Sequence, residues 1–407
     1  MCGIFGYFGP QNDAANMALA GLKNLEYRGY DSWGIACKTD KGVLELQKHV
    51  GKISEVKELK PEINDSINHL AIGHSRWATH GGVTQTNAHP HISQNEEIAL
   101  VHNGIIENYV ELRDDLKEKG FTFKSETDTE TIVHLIEYYC RTNNFEDATK
   151  KAAGKLKGRY AFLAMHKAED KIAAARKGSP LIVGIGPLDN EYFLGSDVPA
   201  FFKHTHRVNY LDDNQIVILD KNGARFYEIS SNQEIEKRII ELELDTESAE
   251  KGDYPHFMIK EIMEQKETIN RAINQDPAVI QELADAIKKA RGTFLIGCGT
   301  AGKVALAGSY LFSRIAKRHV NFTFGSEFTS YQDFLTDETL LISISQSGET
   351  ADTLEAIEVA KEKGVKVASV VNVESSTMAR FSDIVIPIKA GPEKAVASTK
   401  ATTSQMA

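Results

Sequence analysis

The chain has 407 residues and a net charge of −10, with 42% hydrophobic and 26% charged residues. These values predict an ordinary globular protein of about two to three domains. They exclude nucleic acid or an anionic membrane as the main partner, and no apolar run approaches the roughly 18 residues of a membrane helix.

The start has no basic n-region and no cleavage site of a signal peptide. The four cysteines (Cys2, Cys37, Cys140, Cys298) lie far apart without CxxC spacing, which predicts reduced thiols in a cytoplasmic setting.

Cys2 sits directly behind Met1 and ahead of an apolar run, residues 3–8. Methionine is usually trimmed before a small residue, so Cys2 is expected to become the terminus. A terminal cysteine holds a thiol and a free α-amine, which titrates near pH ~8 and can act as its base. A small buried residue opening a strand fits the same position. Position alone leaves these two readings level.

Along the first half, strands are expected at 3–8, 34–39, 43–48, 70–75, 98–101, 160–166, 171–175, 181–185 and 215–219, bounded by Gly, Asp, Asn and Pro. Helices are expected at 14–24, 109–119 and 128–140, the last capped by Thr127 or Asp128. The sum predicts an α+β layered domain rich in antiparallel sheet. Five histidines (His74, His80, His89, His91, His102) crowd one stretch. They show neither HExxH nor zinc spacing, so no metal site is expected.

Several stretches exceed what strands and helices require: CGIFGY from Cys2, LEYRGYDS, HSRWATHG, NAHPH, HNGIIENY and SETDTE. In that order, over residues 2–220, they resemble the class II, N-terminal-nucleophile glutamine amidotransferases. The resemblance implies that Cys2 attacks the glutamine amide, with the Asn103 side chain and the Gly104 N–H as oxyanion hole. It further implies Arg76 on the substrate α-carboxylate, Asp128 on its α-ammonium, Trp77 and Thr79 in a lid, and Arg28 bracing the terminus. Residue types fit these tasks: two aimed donors stabilise an alkoxide, and an arginine fork grips a carboxylate bidentately.

Residues 221–292 read as a helical connector, with apolar Met258, Ile262, Ile269 and Ile273 at helical spacing and a second helix over 278–290. Beyond 293 strands and helices alternate, which predicts an α/β doubly wound parallel sheet. Its first turn, Gly297-Cys298-Gly299-Thr300-Ala301-Gly302, matches G-x-G-x-x-G, with Glu327 placed for a ribose. The third strand instead runs into Ser345-Gln346-Ser347-Gly348-Glu349-Thr350, a hydroxyl-rich helix start suited to a phosphate monoester. In a 2-1-3-4-5 strand order both loops flank one crevice, so a sugar phosphate is the preferred ligand over a dinucleotide.

Residues 293–407 resemble the sugar isomerase (SIS) fold. The two halves together resemble the isomerising glutamine–fructose-6-phosphate aminotransferase family, whose connector is similar to residues 253–265. That resemblance implies glutamine and fructose 6-phosphate as substrates, glucosamine 6-phosphate and glutamate as products, no redox cofactor or metal, and a cytoplasmic homodimer. It places Thr300, Ser345, Gln346, Ser347 and Thr350 on the sugar phosphate, with Val396 and Ser398 near the sugar. Ala301 stands where the family carries a serine, and Lys266 where it commonly has proline. The family continues past the position of Ala407 with a second SIS half that carries the isomerase lysine, glutamate and histidine, so the residues up to Ala407 are expected to carry the glutaminase half only. Alternatives are an amidotransferase on another keto-sugar phosphate and a non-catalytic sugar-phosphate sensor.

Overall fold

A computed structural model describes residues 2–78, 80–242 and 251–407. The chain divides into two compact units, Met1–Glu243 and Leu244–Ala407.

The first unit is built on two antiparallel sheets. One has eight strands in the order Ile240–Glu241, Arg207–Tyr210, Ile182–Ile185, Tyr192–Gly195, Gly3–Phe8, Asn68–Arg76, Ser32–Thr39 and Leu44–Val50. The other has seven: Glu234–Ile235, Gly223–Glu228, Gln215–Asp220, Ile172–Lys177, Gly158–His166, Ile98–Ile106 and His91–Ile92. Gly3–Phe8 is buried throughout, which explains its unbroken apolar sequence. Ile4 and Phe8 join Leu163, Val101 and Val217 of the other sheet, while Phe5 and Tyr7 pack with Ala18 and Leu22 of helix Ala14–Asn24. Gly6 keeps the sheets close, since a Cβ there would lie 2.8 Å from Leu163 Cδ1. The far face of the second sheet is covered by helices Thr129–Cys140 and Phe145–Ala153, through Ile132, Ile136 and Phe145. The layering is therefore helix, sheet, sheet, helix, the expected α+β arrangement.

Sheet texture does not stop near residue 220. Gly223–Glu228, Glu234–Ile235 and Ile240–Glu241 are strands of the first unit. The helical part begins only at Phe257.

In the second unit, helices Phe257–Ile273 and Pro277–Lys289 precede a five-stranded parallel sheet. Its order is Asn321–Phe324, Gly292–Gly297, Thr339–Ser345, Lys366–Val371, Ile384–Pro387, the 2-1-3-4-5 order expected. Phe294, Ile296, Leu341 and Val367 meet helix Ala351–Glu362 on one face. Leu295, Ile342 and Ala368 meet helices Pro277–Lys289 and Gly299–Leu311 on the other.

In helix Phe257–Ile273 the apolar stripe is not the buried face. Met258, Ile262 and Ile273 are exposed, while Lys260, Glu261, Thr268 and Ala272 are buried. Hydrogen bonding decides the facing: Glu261 accepts from the N–H groups of Lys394 and Ala395 (2.6 and 2.9 Å) and from the Thr399 hydroxyl (2.6 Å). Glu264 pairs with the buried Lys400 ammonium at 2.6 Å. Lys266 continues the helix where a proline would remove a backbone donor.

Candidate functional site

Cys2 leads into the central strand of the first sheet, whose register sets Gly3 opposite Ser75. That pairing brings the HSRWATHG stretch to the thiol. Cys2 Sγ accepts from the Trp77 N–H at 3.2 Å and lies 3.4 Å from the Trp77 carbonyl, to which the thiol can donate. Burial pushes the Cys2 thiol above its usual value, only partly offset by the Trp77 backbone, so the resting group keeps its proton.

The Cys2 carbonyl accepts from Arg28 Nε at 3.3 Å and from Asn103 Nδ2 at 3.0 Å. Arg28 is buried and ion-paired with Asp197 at 2.9 Å, and the Tyr27 hydroxyl donates to the same carboxylate oxygen at 2.5 Å. Gly104 sits at φ +113°, and a Cβ there would fall 2.0 Å from the Arg159 carbonyl oxygen. Only glycine fits at that position.

Arg76, buried, donates through Nη1 to the Gly82 carbonyl (3.0 Å) and through Nη2 to the carbonyls of Gly81 (3.2 Å) and His80. The guanidinium thus gathers the 80–82 loop over itself. Trp77 is partly exposed and meets Tyr30 edge-on at 5.2 Å. Thr79 lies outside the described residues. Asp128 caps helix Thr129–Cys140 by position but not by side chain. Its carboxylate instead accepts from the Ile106 N–H at 2.8 Å, at the end of the strand that carries Asn103 and Gly104.

Four of the five crowded histidines are buried and hydrogen-bonded to neutral partners: His74 to Asn103, His89 and His102 to Thr129, His91 to Thr127. His80 meets the Tyr109 hydroxyl at 3.2 Å. Burial lowers the pKa of His74, His89, His91 and His102. Sequence reading missed Asp197, which lies 169 residues from Arg28 and in no quoted motif. It included His74 in HSRWATHG but did not connect it with Asn103.

In the second unit, Ser345 ends the central strand Thr339–Ser345 and its Oγ accepts from the Gly348 N–H at 2.9 Å. Ser347 Oγ accepts from the Glu349 N–H at 3.2 Å. Each hydroxyl oxygen therefore shapes the turn by accepting from its backbone. Thr350 is the N-cap of helix Ala351–Glu362 without using its side chain for capping, and Gln346 is half-buried in the same turn. Gly348 at φ +66° would set a Cβ 2.1 Å from Ser376 Oγ.

Thr300 is exposed in the first turn of helix Gly299–Leu311. The adjacent Cys298 Sγ lies 3.4 Å from Thr353 Oγ1, so the two loops flank one crevice at the switch point of the sheet. Two helix N-termini, anion-attracting by their dipoles, open onto it. Glu327 is exposed, on the short helix that follows the edge strand Asn321–Phe324. Val396 is exposed, and Ser398 accepts from the Thr402 hydroxyl at 2.8 Å.

Residues 74–203 match a glutamine amidotransferase domain and residues 286–407 an SIS domain. The whole chain is 43% identical to a glutamine–fructose-6-phosphate aminotransferase [isomerizing] of Clostridium acetobutylicum, covering 67% of that protein. It is 44% identical to the enzyme of that name from Pyrococcus horikoshii, again over the whole chain and 68% of the relative. Among solved structures, a glutamine PRPP amidotransferase from B. subtilis is similar in fold, at TM-score 0.50 and 18% identity over 95% of this chain and 91% of that one. With relatives this similar along its whole length, the chain belongs to the isomerising glutamine–fructose-6-phosphate aminotransferase family.

Proposed function

We propose that the chain hydrolyses the side-chain amide of glutamine at Cys2, and that the released ammonia converts fructose 6-phosphate to glucosamine 6-phosphate. Glutamate is the co-product. The observation that carries this reading is the convergence of Asn103, Arg28 and Trp77 on Cys2.

With Met1 removed, the Cys2 α-amine takes the thiol proton, which burial holds on sulfur at rest. The sulfur attacks the amide carbon, and the C=O electrons move to oxygen. Asn103 Nδ2 and the Gly104 N–H receive that oxyanion. The proton passes to the leaving nitrogen, ammonia departs, and water cleaves the thioester to glutamate. The balance closes without an oxidant or a metal. Arg76 and Asp128 hold the α-carboxylate and α-ammonium, with Trp77 and Thr79 over them. Arg28 holds the Cys2 carbonyl.

In the second unit, Thr300, Ser345, Gln346, Ser347 and Thr350 bind the sugar phosphate, and Val396 and Ser398 lie beside the sugar. The domain division this reading uses is an amidotransferase domain, a helical connector and an SIS domain, working as a cytoplasmic homodimer. Ala301 gives specific support to a second reading, an amidotransferase on another keto-sugar phosphate, because no hydroxyl stands there for the sugar.

The test follows glutamate release from glutamine. Mass spectrometry should show Cys2 as the terminus, and a blocked terminus or Cys2→Ala should abolish turnover. Full activity from either protein sinks the mechanism. Calorimetry with fructose 6-phosphate and inorganic phosphate tests the second site, and absence of any binding removes the acceptor assignment.

A further inference from the structure

His74 lies fully buried on strand Asn68–Arg76, two residues before Arg76, and the chemistry above does not use it. Its Nε2 is 2.9 Å from Asn103 Oδ1. The other end of that amide settles the proton: Nδ2 donates to the Cys2 carbonyl at 3.0 Å, so Oδ1 faces the imidazole. His74 must therefore carry its hydrogen on Nε2. Burial holds the ring down to about 3, so it is neutral and its single N–H is committed to Asn103.

The ring has little freedom to turn. It stacks on His89 at 4.1 Å between centroids. His89 Nε2 and His102 Nδ1 both meet Thr129 Oγ1, at 2.8 and 2.9 Å. Thr129 follows Asp128, whose carboxylate is held by the Ile106 N–H. Buried contacts thus connect the amide beside the nucleophile with the carboxylate of the glutamine clamp.

A carboxamide has two orientations of nearly equal shape. In one, Asn103 offers N–H to the developing oxyanion; in the other, it offers a carbonyl oxygen that repels it. We propose that His74 is the positioning residue of the oxyanion hole, its Nε2–H fixing the Asn103 amide with nitrogen toward Cys2. The inference rests on the reading of Cys2 and Asn103 given above.

The test compares His74→Phe, which fills the space without a donor, with His74→Gln, whose amide can restore one. Glutamate release should fall about tenfold or more in kcat for His74→Phe, with the glutamine KM within about twofold, because an oxyanion donor acts only in the transition state. His74→Gln should recover most of that loss. In an Asn103→Ala background, His74→Phe should cost nothing further in kcat, since the two act as one unit. Alkylation of Cys2 by iodoacetamide, a displacement with no oxyanion, should proceed at the unaltered rate in His74→Phe.

A kcat loss that persists in the Asn103→Ala background overturns the inference, as does His74→Gln no better than His74→Phe, or a parallel fall in alkylation. If His74→Phe does not fold, His74→Leu takes its place in every comparison. Turnover that survives Cys2→Ala overturns the functional reading itself. Turnover that needs Cys2 but ignores His74 overturns only this inference.

Discussion

The carboxamide nitrogen of Asn103 lies 3.0 Å from the carbonyl oxygen of Cys2, across 101 positions of sequence. The donor proposed for the oxyanion and the residue proposed to attack are thus joined before substrate arrives. Asn103→Ala should lower kcat for glutamine hydrolysis by about 10²–10³, the range for one lost oxyanion donor, with a small change in KM. It also strands the buried His74 N–H, at a cost of about 1–3 kcal/mol in unfolding free energy. Steady-state kinetics and urea unfolding separate the two effects, and an unchanged kcat would remove Asn103 from the mechanism.

Asp197 neutralises the buried Arg28 that holds the Cys2 carbonyl. Asp197→Ala removes that carboxylate from the guanidinium. A full buried pair would lose about 3–5 kcal/mol; the carboxylate is 33% exposed, which puts the expectation nearer 2–3. Urea unfolding should show it, together with a lower glutaminase rate. A loss below about 0.5 kcal/mol would place this pair with ordinary surface ion pairs.

Asp128→Asn should raise the glutamine KM by roughly tenfold to a hundredfold, the worth of a charge-assisted bond of about 1.5–3 kcal/mol. The Asn oxygen can still accept from the Ile106 N–H, so melting should move little. A KM that stays put with intact folding would confine Asp128 to holding Ile106.

Ala301 lies in the first turn of helix Gly299–Leu311, beside Thr300. Ala301→Ser should tighten fructose 6-phosphate by about 0.5–1.5 kcal/mol, one neutral hydrogen bond, as read by calorimetry. Weaker binding after the change, with another sugar phosphate preferred by the original chain, would favour the second acceptor reading.

Acid should destabilise the first unit. Burial lowers the pKa of His74, His89, His91 and His102 in the folded state, so the unfolded chain takes up their protons first. Their contribution is complete above the unfolded value near 6.5 and declines as pH falls, by up to about 1.4 kcal/mol per histidine at pH 5.5. His134, whose pKa is raised chiefly by Glu130 and Glu137 against the opposing effect of burial, works in the other direction. Urea midpoints between pH 7.5 and 5 should fall, and a flat profile would mean the four rings are hydrated.

The sequence by itself determined the α+β class of the first unit, the parallel doubly wound class of the second, and the stretches around Cys2, Arg76, Asn103 and Ser345. Turn chemistry, apolar periodicity and ordered motifs are local, and local signals survive without coordinates. Only the tertiary structure decided who meets whom. Strand Tyr192–Gly195, too short to announce itself, pairs with Gly3–Phe8 and delivers Asp197 to Arg28. The apolar residues of helix Phe257–Ile273 stand at helical spacing, yet Glu261 lies on the buried side, because the N–H groups of Lys394 and Ala395 are bound there. The Asn103 amide is a motif residue by sequence, but its orientation comes from His74 and Cys2 together, two strands brought side by side. Periodicity reports which face of an element is apolar. It carries no record of hydrogen bonds that close over a hundred residues, and those bonds set the geometry of this site.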